Sequence, residues 1–443
     1  MSFGSAIFLF AFLPASVALY HLMPAARAKN ILLLTVSLLF YGFGRLADLP
    51  ILVGLALFNY LLGLFLRRRR WVLALGVSMD LGVLLFYKFL FPASLPLGIS
   101  FFTFQAISYL ADAYRDPAQT SRRFVPLLQY LCFFPNLISG PLWKFQDMRP
   151  MLEHRRTTPE ATAKGLRRFT VGLGKKLLLS APLGLAVDTV YALDPSALDF
   201  RTAWLGAVCY ALHLYLDFSG YSDMALGLGS MFGFHLPENF DLPYLAASIT
   251  DFWRRWHISL SHWFRDYLYI PLGGNRKGPA RTVSNKLAVF LATGLWHGVS
   301  WTFLLWGLWH GLLSALETVT PLKNTNRRWY GRIYALLAVV TGFALFRAGT
   351  LAQGFGLIAK LFTGFSLTAA STRLLASALT NRVLLALLLG LLISAGIPAS
   401  LSRHLDGKSG AEMVRFGLTL LLLTVCITAL ASGSFQPFIY QQF

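Results

Sequence analysis

Apolar residues in this chain come in long unbroken blocks, not in the short alternations of a soluble fold. A helix that crosses a bilayer needs roughly 20 such residues. Blocks near that length recur at 3–22, 30–44, 48–66, 71–91, 98–114, 170–192, 202–218, 300–319, 333–346, 383–399 and 416–432. The pattern predicts an all-α polytopic membrane protein with about a dozen crossings, forming a single membrane domain over residues 1–443. The apolar run at 3–22 is longer than a signal-peptide core and reads as a retained span.

Two stretches depart from the block pattern. Residues 124–142 end in FFPNLISGP, whose two prolines and glycine suit a broken or re-entrant segment. Residues 251–268, DFWRRWHISLSHWFRDYL, separate into two halves when wound at 100° per residue. Phe252, Trp253, Trp256, Leu260 and Trp263 fall on one half, with Arg254, Arg255, Ser259, His262 and Arg265 on the other. An aromatic face opposite an Arg-rich face predicts one helix lying in the membrane interface. His257 sits at the seam, where its ring faces protein.

Charge refines this picture. There are 39 basic and 19 acidic residues, a net +20. In a soluble protein that balance would suggest nucleic acid. Here the basic residues lie between apolar blocks, as in Arg67–Arg70, so positive-inside bias and contact with anionic membrane lipid account for them, and nucleic acid is set aside. The basic gaps at 27–29, 67–70 and 115–123 then face the cytoplasm, and so do 276–286, 323–332 and 403–415. The N-terminus and the acidic residues Asp188, Asp194 and Asp199 face outward. Three cysteines, Cys132, Cys209 and Cys426, show no metal-ligand spacing and read as small buried hydrophobes.

Candidate chemistry centres on a doubled pentapeptide. GLWHG occurs at 294 and again at 307, inside GLWHGVSWTFLLWGLWHG. An imidazole in hydrocarbon is costly unless its nitrogens find partners, so an intramembrane histidine is a functional candidate by default. The alternative is a hydrogen-bonded packing residue. On one continuous helix, His297 and His310 would be separated by ~20 Å of rise and could not serve one atom. A break at Gly298, Val299 and Ser300 is therefore expected. It leaves His297 reactive at the tip of a segment 286–297 that stops near mid-depth, on the floor of a hydrated passage, and His310 as a supporting residue.

A second polar concentration, in YLDFSGYSDMALGLGSMFGF, offers Asp217 and Asp223 to orient a histidine or a helix break, or simply to pack. No Walker A, HExxH or helix-opening GxGxxG is present, which removes nucleotide hydrolysis and zinc-protease chemistry. The motifs assign no metal.

At this point the sequence resembles a known family. DFWRRWHISLSHWFRDYLYIPLGG (251–274) and the doubled motif closely resemble the membrane-bound O-acyltransferase superfamily, in its bacterial alginate O-acetyltransferase branch. PLGISFFTFQAISYLADAYR (96–115), FFPNLISGP, DFSGYSDMALGLGSMFGF (217–234), PENFDLPY (237–244) and the terminal PFIYQQF extend the match. The motif-rich core covers about 96–320, with C-terminal helices over 329–443. The resemblance implies a ring of tilted helices around a central tunnel, with re-entrant and interfacial pieces. It implies that His297 is the essential histidine and His257 the second one. It also implies an acyl donor that is a cytoplasmic thioester, acetyl-CoA, with no resident cofactor, and periplasmic relay proteins of a polysaccharide-modification system as partners in the bacterial inner membrane. One departure is GPLWKFQDMRP (140–150), where Trp143 and Lys144 stand in place of a more hydrophobic residue and an arginine.

The residues suit that chemistry. Acyl transfer to a hydroxyl needs a base at the attacking oxygen, and neutral histidine serves at physiological pH. Developing charge needs donors, for which His257, Trp296, Ser300 and backbone N–H groups at the break are candidates. Arg254 and Arg255 are candidates for the donor's phosphates, or for plain interfacial anchoring. Competing readings are D-alanyl or other acyl transfer to a cell-wall polymer, a transporter, which would show repeat symmetry between halves, and a non-catalytic scaffold.

Overall fold

Helices make up every extended element in the computed structural model, which describes residues 1–320, 329–404, 410–433 and Phe438. Most of the PFIYQQF terminus, and parts of the basic gaps 323–332 and 403–415, lie outside the described residues. Among the described residues, six helices are long and apolar enough to cross a membrane, and a seventh follows if the bent pair Ala369–Ala378 and Asn381–Ser394 counts as one span. The chain is a multi-pass membrane protein. The apolar blocks outnumber these helices because apolar sequence encodes burial against protein as well as against lipid. Residues 99–110 and 209–222 are buried throughout, whereas in Ala411–Ala431 only Ala411 and Cys426 are.

The chain divides into two compact units, Met1–Leu173 with Tyr221–Glu238, and Gly174–Gly220 with Asn239 onward. The first holds α1 (Leu13–Leu22), α2 (Ala26–Gly44), α3 (Leu49–Leu66), α4 (Arg70–Leu90), α5 (Ile99–Arg115), α6 (Phe124–Cys132), α7 (Phe145–His154) and α8 (Pro159–Gly174). Its core is aromatic: Phe3, Phe8, Phe40, Phe134 and Phe232 pack ring against ring. The expected broken segment is present, since α6 runs for only nine residues before a non-helical stretch containing Pro135 and Pro141. Trp143 is buried there and stacks on Phe133 at 5.8 Å.

The second unit holds α9 (Ala181–Tyr191) and the larger part of α10 (Phe200–Met231). It continues with α11 (Ile249–Arg255), α12 (Ile258–Phe264), α13 (Pro279–His297), α14 (Trp301–Val319), α15 (Trp329–Arg347) and α16 (Leu351–Phe362), and ends with α17 (Ala369–Ala378), α18 (Asn381–Ser394), α19 (Ile397–Arg403) and α20 (Ala411–Ala431). A hairpin of α13 and α14 dominates this unit. The doubled pentapeptide explains its closeness. A Cβ on Gly294 would come within 2.6 Å of the Phe303 carbonyl oxygen, and one on Gly307 within 2.4 Å of the Phe290 carbonyl oxygen. Such a Cβ on Gly307 would also lie 3.4 Å from Cα of Gly294, so the first glycines of the two copies face each other. Small residues at a crossing let helix backbones approach without intervening side chains.

Candidate active site

The expected break between the two GLWHG copies is observed. Helix α13 ends at His297, and Ser300 caps α14 by accepting from the Phe303 N–H at 3.3 Å. One expectation is corrected: α13 starts at Pro279 and has 19 residues, so the helix that ends at His297 is longer than the expected segment 286–297. Pro279 at its first turn and Gly278 before it set the start, ahead of the strongly apolar text.

His297 is enclosed by aromatic rings of its own unit. Trp296 lies 4.7 Å away, Trp306 and Phe346 each 5.1 Å, and Phe303 6.3 Å, leaving the residue 4% exposed. Trp306 also touches His310, at 5.4 Å. The hairpin thus sets the two histidines of the doubled motif against one indole. His310 is fully buried among Phe252, Trp253, Phe290 and Trp306, and neither ring nitrogen has a hydrogen-bond partner among the described residues. That environment fits a packing role.

The stretch 251–268 is not one helix, which corrects the expectation of a single continuous element. Helix α11 stops at Arg255, Trp256 is extended, His257 takes a left-handed conformation (φ 45°), and α12 restarts at Ile258. A non-glycine residue in that region is uncommon and is held there by its surroundings. The cause is tertiary. Residues 239–241 pair antiparallel with 255–258, through Asp241 N–H to the Arg255 carbonyl at 2.9 Å and Ile258 N–H to the Asn239 carbonyl at 3.0 Å.

The side chain of Asn239 then determines how His257 is protonated. Its Oδ1 accepts from the Ser259 N–H at 3.2 Å and the Ser259 hydroxyl at 2.9 Å. A backbone N–H can only donate, so that atom is an oxygen. The His257 Nδ1 at 3.1 Å from it must therefore carry the hydrogen. In the neutral ring, Nε2 is left with its lone pair. This revises the candidate role of His257 as an oxyanion donor, because a neutral ring so held offers an acceptor. Phe218 packs edge-on at 4.6 Å, and Trp296 lies 6.3 Å away. Trp296 therefore neighbours both imidazoles.

The remaining candidates divide. Asp217 is buried and accepts from the Lys176 ammonium and, at 3.3 Å, from the Ser180 hydroxyl. Ser180 in turn meets His213 Nδ1 at 2.9 Å. Lys176 and Ser180 lie in a π-helical turn, Lys175–Ser180, a feature frequent at functional sites. Asp223 belongs to the other unit, where Arg168 binds it at 3.0 Å and grips Glu238 with two bonds of 2.6 Å. Arg255 is engaged by Asp251 at 3.1 Å, and Arg254 is exposed. Ser300 acts as a helix cap. Among the described residues, no group of three or more His, Cys, Asp or Glu could hold a metal ion. Asn239, Lys176, Ser180 and His213 were not singled out from sequence. The signal for Asn239 lay in the PENF motif, and that for Lys176 in a lysine set within apolar text.

Comparison with known proteins bears on this arrangement. Residues 61–346 match the membrane-bound O-acyltransferase family. A protein of Azotobacter vinelandii named "Probable alginate O-acetylase AlgI" is 37% identical, with 100% of each chain covered. The peptidoglycan O-acetyltransferase of Helicobacter pylori is 36% identical over 68% of this chain and 67% of its own. The teichoic acid D-alanyltransferase of Bacillus subtilis is 29% identical over 56% of this chain and 65% of its own.

Proposed function

The chain belongs to the membrane-bound O-acyltransferase family, in its alginate O-acetylase-like branch, and from that premise we propose that it carries acetyl groups across a bacterial inner membrane. The donor is acetyl-CoA on the cytoplasmic side. The acceptor is a hydroxyl of an exported polysaccharide or of a periplasmic relay protein. The observation that carries this reading is the pair of buried histidines, His257 and His297, on either side of Trp296 in a chain similar to O-acetyltransferases over its full length.

In this reading His297 takes the proton of the acceptor hydroxyl as its oxygen attacks the thioester carbonyl. The tetrahedral oxyanion is met by N–H donors: the Trp296 indole and the Trp301 and Thr302 amides that open α14. As the C–S bond breaks, the proton passes to the leaving thiolate, giving the ester and free coenzyme A. His257, an acceptor at Nε2, orients an O–H or N–H of one substrate. Two acetyl-transferring relatives support acetyl over D-alanyl, whose relative matches about half of the chain.

The test is His297→Ala in the producing bacterium, with O-acetyl content of surface polymers and membrane protein level measured together. A base of this kind contributes roughly 10²- to 10⁴-fold, so acetylation should vanish at unchanged protein level. Retained acetylation would remove His297 from the chemistry.

A further inference from the structure

A buried carboxylate in α14, outside every motif discussed so far, deals with backbone that no helix satisfies by itself. The first amides of a helix lack intrahelical partners. In α11 each has a specific acceptor. Ile249 N–H donates to Glu317 Oε1 at 2.6 Å and Thr250 N–H to Glu317 Oε2 at 2.9 Å. Asp251 N–H goes to the Ser248 hydroxyl at 3.0 Å, and the ordinary helical ladder begins with Phe252 N–H to the Ser248 carbonyl at 2.9 Å. Glu317 is 3% exposed, and Tyr334 donates to its Oε1 at 3.2 Å. Lys286 of α13 binds Ser314 and Thr318 beside it on α14, at 2.7–3.1 Å. An ionised carboxylate is costly to bury unless charge-assisted bonds compensate it, and here both oxygens are committed to one end of one short helix.

We infer that Glu317 is a positioning residue for acyl transfer: by fixing where α11 begins on the α13–α14 hairpin, it sets where His257 stands relative to His297. Helix α11 is a rigid arm on the order of 10 Å long, with His257 two residues past its end. Asn239 holds the far side of His257, and Glu317 holds the near end of the arm. The hairpin that carries Glu317 also carries His297, so one covalent scaffold sets both rings. This inference rests on the assignment of His257 and His297 to the reaction.

The experiment uses the full-length protein in detergent or nanodiscs, with Glu317→Ala and the isosteric Glu317→Gln. Two quantities are read: hydrogen–deuterium exchange of the 249–258 backbone, and initial rates against acetyl-CoA concentration. Exchange should rise in the alanine variant and rise less in the glutamine variant, which keeps one carbonyl acceptor. Turnover should fall roughly 10- to 100-fold, as for other orienting partners, with KM for acetyl-CoA changed by less than about 3-fold. Partial rescue by glutamine is the signature. Unchanged exchange, or wild-type kcat per folded molecule in both variants, would overturn the inference. If the alanine variant does not accumulate, wild-type kcat in the glutamine variant overturns it alone. Wild-type turnover in a parallel His257→Ala variant would instead sink the underlying site assignment, whatever the exchange data show.

Discussion

The Nδ1 of His257 and the side-chain oxygen of Asn239 lie 3.1 Å apart, bringing together residues 18 positions distant in sequence. The contact selects the tautomer, and Ser259 prevents the amide from turning over. Asn239→Ala should therefore leave the fold intact and lower turnover roughly 10- to 100-fold. Asn239→Asp, which keeps an acceptor at the same place, should recover part of the loss. Acetyl transfer assayed in membrane vesicles at equal protein level checks both.

The glycine crossing of the hairpin gives a stability prediction. A side chain at position 307 would press on backbone, which cannot move aside as a flexible side chain can. Gly307→Val should cost about 1–3 kcal/mol and lower the melting temperature in detergent. Gly417, which has nothing within 4 Å of its missing Cβ, is the control: Gly417→Ala should melt like wild type.

Lys176 and Asp217 form a buried ion pair, each 1% exposed. Removing one partner strands a charge, at about 3–5 kcal/mol. Asp217→Leu alone should accumulate poorly. Combining it with Lys176→Met should restore much of the protein, since the double change leaves no charge behind. Quantitative blotting of membranes compares the two variants with wild type.

Asp199 supplies a pH dependence. Burial alone would raise its pKa, but bonds from the Thr202 N–H, Arg201 and the Thr202 hydroxyl outweigh that effect and hold it down to about 2. A carboxyl depressed in the folded state contributes stability that is present above its ordinary pKa of about 3.9. That contribution should fade as pH falls from there toward 2. Thermal melts across this window should show a slope in wild type that is smaller in Asp199→Asn.

Helical class, membrane character and the break after His297 were legible because each rests on local chemistry: apolar length, or a glycine two residues before a good capping serine. The kink at His257 was not. Its cause is backbone pairing with residues 239–241, and helical periodicity over 251–268 cannot register a partner outside the window. Asp217 and Asp223 looked alike in sequence, six residues apart, yet they serve Lys176 and Arg168 in different units. Glu317 was invisible for a related reason. A lone carboxylate in the apolar text GLLSALETV gives no hint that its partners are two backbone amides nearly seventy positions earlier.

The meeting of Gly294 with Gly307 bears on how the enzyme turns over. With no side chains between the two rods at that point, neither can slide or roll without lifting backbone off backbone. The ring of His297, one turn beyond Gly294, is accordingly a fixed post. With His297 as the proposed base, both substrates come to a ring whose backbone holds its place.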